Sequence, residues 1–220
     1  MPNKYNIKPD GKLHVRYSQL KKCTPNQMEQ LLKEMYNIIT PFEGTSMALG
    51  SLRHEQFDAE CKETGKLPKV YGLDLAVTAS EYELSNEILP GVILHSTIDA
   101  YLAGDYVADF KTTAKSAKDW TDVKQLHVYA YQLSLQDVKV KRLMYLLEVW
   151  DRERESILSW EKMEREIKPE DLISVAQWLK DKVDILQTAI PIFEKEYASE
   201  INQAQGGGFE EQGSESYNNI

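Results

Sequence analysis

Asp99, Asp109 and Lys111 are the residues whose types and spacing point most directly to chemistry. They lie in VILHSTIDAYLAGDYVADFKT, residues 92–112. Val92, Leu94, Ser96 and Ile98 alternate with His95, Thr97 and Asp99; Tyr106, Ala108 and Phe110 alternate with Val107, Asp109 and Lys111. Period-two alternation on both sides of Ala103-Gly104-Asp105 is a β-hairpin signal. With a three-residue loop centred on Gly104, residue 102 pairs with 106, 101 with 107 and 99 with 109. Asp99 then faces Asp109 across the hairpin, and Lys111, two residues on, shares their side of the sheet. Carboxylates about 5 Å apart repel by about 3 kcal/mol at an effective dielectric of about 20. A divalent cation between them turns repulsion into coordination, and hard oxygen ligands suit Mg²⁺ or Mn²⁺. The plainer account of the same acids is a pair of strand residues on a solvated face.

The elements that would position these residues follow from the rest of the pattern. A helix over about Ser46 to Glu63, stopped by Gly65, carries Gly50, His54, Phe57 and Cys61 on one face. His54 therefore points into the protein, either as a satisfied core histidine or as a ligand. After the hairpin, a polar loop from Thr112 to Lys118 leads into a helix over roughly Asp119 to Leu135. Gln125, Tyr129 and Gln132 adjoin on it at i, i+4 and i+7. Gln125 is also an ordinary solvated residue on that spacing, and Tyr129 an ordinary core residue. Upstream, LHVRY reads as a strand. Thr24 and Pro25 suit the cap and first turn of a scaffold helix, with Gln27 completing a capping box and Pro41 ending it. LDLAVTA and EYEL are weak strand patterns. KVKRLMYLLEVW pairs with SILSWEK across Asp151-Arg152-Glu153-Arg154. A long helix runs from Pro169 to about residue 198, with Leu172, Val175, Leu179, Val183 and Leu186 on one face, and Pro191 is expected to kink or break it. The predicted fold class is α/β (α+β), a central mixed sheet flanked by helices. Residues 1–200 form a single domain in this reading, and 201–220 an acidic Gly/Ser/Gln-rich disordered tail.

The formal charge of -9 argues against a protein that coats nucleic acid non-specifically. The charge is uneven, however. Lys4, Lys8, Lys12, Arg16, Lys21 and Lys22 face Asp10 alone in the first 22 residues, while Glu200, Glu210, Glu211 and Glu215 close the chain without a base. Local basic surface can therefore meet phosphates. No apolar run approaches the ~18 residues of a membrane span, and MPNKYNIKPDGK lacks a signal-peptide core, so a cytoplasmic protein is expected. Two cysteines, Cys23 and Cys61, are too few for a four-cysteine iron–sulfur or zinc site, and free thiols are expected.

The order of these pieces resembles the PD-(D/E)xK nuclease superfamily, specifically its RecB-like exonuclease branch of bacteria and bacteriophages. LGSLRHEQF matches the histidine motif, STIDAYL the first acid, VADFKTT the acid-x-lysine motif and QLHVY the Q-x-x-x-Y motif, all within about residues 46 to 132. Ile98 stands where proline is common in that branch, and the cluster-binding cysteines of some members are absent, so no iron–sulfur cluster is expected. Cys23-Thr24-Pro25 is a loose match to a Cys-Pro that often precedes the first helix. The resemblance implies a restriction-endonuclease-like core. It implies one or two Mg²⁺ or Mn²⁺ ions on His54, Asp99, Asp109 and the backbone carbonyl of Phe110. Lys111 would position or help deprotonate the water. Gln125 and Tyr129 would hold the strand end and the incoming phosphate or terminal nucleotide. Thr112 and Thr113 could donate to phosphates, and Lys115, Lys118 and Lys124 could line the DNA path. The function so implied is a metal-dependent DNA exonuclease for recombination, repair or replication, with a recombination or replication protein as a partner for the acidic tail. The alternatives are a structure-specific endonuclease, a DNA-binding or assembly protein on the same scaffold without catalysis, and an unrelated α+β interaction protein whose D-x-K is accidental.

Overall fold

The computed structural model describes residues 11–40, 44–151 and 156–206. The chain builds a six-stranded mixed sheet from β1 (Leu13–Arg16), β2 (Val77–Leu89), β3 (Val92–Leu102), β4 (Tyr106–Thr113), β5 (Arg142–Asp151) and β6 (Ser156–Glu166). The strand order is β1-β3-β4-β5-β6, with β2 also paired to β3. β1 is parallel to β3 and β4 to β5, and the remaining pairs are antiparallel. The helices are α1 (Tyr17–Lys21), α2 (Met28–Met35), α3 (Thr45–Thr64), α4 (Lys124–Ser134), α5 (Pro169–Glu196) and α6 (Ala198–Gly206). Among the described residues no helix is long and apolar enough to cross a membrane.

β5 lies between β4 and β6, and Leu143 through Leu147 are all buried, as expected for a strand covered on both faces. On one face Phe57 and Cys61 of α3 pack with Ala108, Phe110, Met144 and Leu146. On the other, Leu126, Tyr129 and Leu133 of α4 pack with Val107, Leu143 and Tyr145. The stripe Val175, Leu179, Val183 and Leu186 of α5 joins Leu31 and Met35 of α2 and Val15 and Leu94 of the sheet. Each such side chain contributes about 1.5–3 kcal/mol on burial. Two helices on opposite faces of one hairpin are what bring residues distant in sequence to its end.

Several expectations shift. Thr24 to Gln27 form a turn, closed by Gln27 N–H on the Thr24 carbonyl at 3.1 Å, and α2 begins only at Met28. It ends at Met35, before Ile38 and Ile39, because Asn37 takes a left-handed conformation (φ 57°), which asparagine tolerates at helix ends. Pro41 lies outside the described residues, as do the N-terminal lead through residue 10, Arg152 to Arg154 of the β5–β6 turn, and residues 207–220. The two weak strands merge into one long β2 that starts at Val77, leaving Leu73 to Ala76 outside it. α4 starts at Lys124 rather than Asp119. Trp120 packs against Tyr145 at 5.3 Å and its indole donates to the Asp122 carbonyl at 2.8 Å, which pulls the approach out of helix. Asp122 Oδ1 then accepts the Lys124 N–H at 3.2 Å, an Asx-type turn that leads into the helix. α5 continues through Pro191 without a break. The Gln187 carbonyl that proline deprives of a donor belongs to an exposed residue, where water can serve it. Finally, α6 carries the chain to Gly206 and buries Ile201, so the first six residues of the span read as tail are helical.

Candidate active site

The hairpin pairs Leu102 with Tyr106, Tyr101 with Val107 and Ala100 with Ala108, the register expected from a turn at Gly104 (φ 85°). The ladder stops one pair short of residues 99 and 109. There Asp99 Oδ2 accepts the Phe110 backbone N–H at 2.6 Å, taking the place of a strand-to-strand bond. Alternation breaks at the same point. Ile98 packs with Val107 and Tyr129, whereas Ala100, two residues on, packs with Phe110 and Phe57 on the opposite face. Asp99 therefore sits where β3 changes face and the hairpin opens.

α3 closes one side of that opening. His54 Nδ1 lies 3.6 Å from Asp99 Oδ1, and its ring meets Phe110 edge-on with centroids 5.0 Å apart. Phe57, three residues on, stacks on the same Phe110 ring and fixes the helix over the strand. α4 closes the other side. Asp109 is fully buried, and its Oδ1 accepts from Gln125 Nε2 and from the Tyr129 hydroxyl, each at 3.1 Å. Gln125 also donates to the Tyr129 oxygen at 2.5 Å, so the two helix residues act as one clamp. Lys111 Nζ lies 2.5 Å from Asp109 Oδ2.

The electrostatics show how closely these groups interact. Burial, followed by the neighbouring Asp109, pushes the Asp99 carboxyl well above the usual carboxylate range. For Lys111, burial pulls the ammonium down, but Asp109 and Asp99 outweigh it and the net shift is upward. Burial and then the Lys111 charge lower the His54 imidazole, which is therefore neutral at pH 7 with a lone pair to offer. Burial and Asp109 raise the Tyr129 phenol, which stays a donor.

These residues surround an open cleft of about 790 Å³ lined by His54, Glu81, Asp99 and Lys111, with Met47, Gly50 and Asp58 on the α3 wall. Asp109, fully buried, does not line the cleft. Donor atoms of His54, Glu81 and Asp99 lie within 4.8 Å of one another. Sequence reading missed Glu81, because in EYEL it alternates in step with Glu83 like any solvent-facing strand residue. Its left-handed backbone (φ 48°) breaks that alternation. Of the expected phosphate contacts, Thr112 Oγ1 lies 3.5 Å from where a Cβ on Gly50 would stand, so it faces α3. Thr113 Oγ1 accepts the Lys115 N–H at 2.9 Å. Lys115 and Lys118 are exposed beside the hairpin end, and Lys124 rests over the Trp178 ring at 5.3 Å.

The donor set fits a hard divalent cation. It offers an imidazole nitrogen and carboxylate oxygens, two of them buried and held against one another's charge. A six-stranded mixed sheet with helices on both faces, carrying acids at an opened central hairpin, is a restriction-endonuclease-like fold. Among solved structures the chain is similar to an alkaline exonuclease from Laribacter hongkongensis, at 11% identity over 84% of this chain and 93% of that one, with a TM-score of 0.53. It is also similar to a phage related exonuclease from Haemophilus somnus 129PT, at 15% identity over 86% and 97% of the two chains, with a TM-score of 0.50. No protein-family model and no curated protein matches the sequence. At these identities the likeness is one of fold.

Proposed function

We propose that the protein is a metal-dependent deoxyribonuclease, an exonuclease acting on DNA in recombination, repair or replication in the cytoplasm of a bacterium or a bacteriophage host. The observation that carries this reading is the meeting, at one hairpin end, of a neutral imidazole, two buried neighbouring carboxylates and a lysine. Such a cluster costs folding stability, since like charges are buried together. It is readily explained if a cation and a phosphate complete it. That two proteins of similar fold are exonucleases supports the same reading.

His54, Asp99, Asp109 and the Phe110 carbonyl would hold one or two Mg²⁺ or Mn²⁺ ions. When bound, such an ion supplies a Lewis acid for the scissile phosphate and water of lowered pKa at neutral pH. The chain's own groups do the rest. Lys111 orients the water and balances charge gathering on the phosphate oxygens. Gln125 and Tyr129 hold Asp109 by one oxygen, which fixes the direction of the other. Thr112, Thr113, Lys115, Lys118 and Lys124 would track the DNA backbone, and the acidic tail would recruit a recombination or replication protein. A second reading, DNA binding without cleavage, draws support from the Lys111–Asp109 ion pair, which occupies the oxygen that a metal would need.

End-labelled DNA incubated with Mg²⁺, Mn²⁺ or EDTA tests the proposal. Metal-dependent release of nucleotides, lost in Asp109→Ala, is the expected result. Retention of DNA without cutting favours the second reading, and cleavage at the parental rate by Asp109→Ala would refute the site.

A further inference from the structure

We infer that Glu81 is a direct ligand of the cation, presented by a break in β2; this rests on the metal-dependent reading above. β2 pairs Ser80 with Ala100 and Tyr82 with Ile98, but between them Glu81 and Asp99 form no ladder pair. The break coincides with the left-handed backbone of Glu81. A non-glycine residue in that region costs about 1–2 kcal/mol, and glutamate has no short polar arm to offset it locally. Among the described residues no hydrogen bond or ion pair holds the carboxylate. Instead it faces the cleft, with His54 and Asp99 donor atoms within 4.8 Å. The register leaves Glu81 opposite Asp99, and the break in the ladder keeps both carboxylates at the cleft. A strained backbone and an unpaired carboxylate beside a buried one each lower stability, and a shared cation offsets both costs.

The comparison that separates ligation from mere negative field is with Asp58. It lines the same cleft wall one helical turn beyond His54, and its Oδ2 is tied to Lys62 at 2.7 Å. Mn²⁺ binding to the full chain is measured by electron paramagnetic resonance of the free ion, for wild type, Glu81→Gln, Asp58→Asn and Asp99→Asn. Metal-free melting temperatures are recorded alongside. Glu81→Gln should weaken Mn²⁺ by about tenfold or more, as loss of a metal-site group does. Its metal-free melting temperature should hold or rise. Asp58→Asn removes the same charge, and the screened field changes affinity by less than about threefold. Asp99→Asn should abolish binding. Equal affinity in wild type and Glu81→Gln overturns the inference and leaves the metal reading standing. An equal loss in Asp58→Asn, or a metal-free destabilisation of Glu81→Gln, also overturns it, by assigning Glu81 a field or structural role. A wild-type protein that binds no Mn²⁺ overturns both.

Discussion

Replacing Lys111 with methionine keeps most of the unbranched side chain and removes the ammonium that contacts Asp109 at 2.5 Å. The carboxylates of Asp109 and Asp99 are then left facing one another in a site that buries both. Breaking a buried pair from one side costs about 3–5 kcal/mol. In a chain of this size each kilocalorie lowers the melting temperature by about 2–4 °C, so a fall of about 6–20 °C is expected without metal. The pH dependence has a definite sign. The Asp99 carboxyl is already raised by burial and Asp109, and Lys111 opposes that shift. Without Lys111 it rises further. A carboxyl with a raised folded-state pKa contributes its full stability below the unfolded value of about 4 and loses it as pH climbs through the folded value. The deficit of Lys111→Met should therefore be small near the unfolded value and widen toward neutral and alkaline pH. Thermal melts of wild type and variant in EDTA across that range measure it. Saturating Mn²⁺ should then stabilise the variant more than the wild type, because ammonium and cation compete for Asp109 Oδ2, while cleavage stays lost. A deficit that is absent or independent of pH, or a variant that gains less from Mn²⁺ than wild type, would refute the competition.

Tyr129→Phe removes one of the two donors to the buried Asp109 Oδ1. A hydrogen bond to a charged acceptor is worth about 1.5–3 kcal/mol, so the melting temperature should drop by about 3–12 °C, with slower cleavage on labelled DNA. Gln125 keeps its bond, so the fold should persist by circular dichroism. Ending the chain after Gly206 should leave melting temperature and intrinsic cleavage unchanged. Ending it at residue 200 should lower the melting temperature, because Ile201 packs into the core beneath α5.

The hairpin was legible because its alternation and its glycine turn are local properties, and residues 100 to 108 pair as those properties require. Helix α3 was legible for a similar reason: Gly65, at φ 66°, ends it where the apolar spacing ends. What escaped reading was decided by contacts distant in sequence. Trp120 leaves helix because Tyr145 holds its ring, and Ile201 leaves the tail because α5 offers it a core. Glu81 is the sharpest case. Period-two reasoning assigns faces only while a ladder stays regular, and this ladder fails on both sides of Asp99 at once. It lacks a pair toward β2 at residue 81, and toward β4 a carboxylate–amide bond stands where a strand bond would be. A regular ladder would have satisfied every backbone group and left Asp99 pointing to one face. The irregularity frees its carboxylate to reach Phe110 of β4 and His54 of α3 together. The acids were readable from their spacing. Their convergence was not, because it depends on the place where the periodicity used to read them gives out.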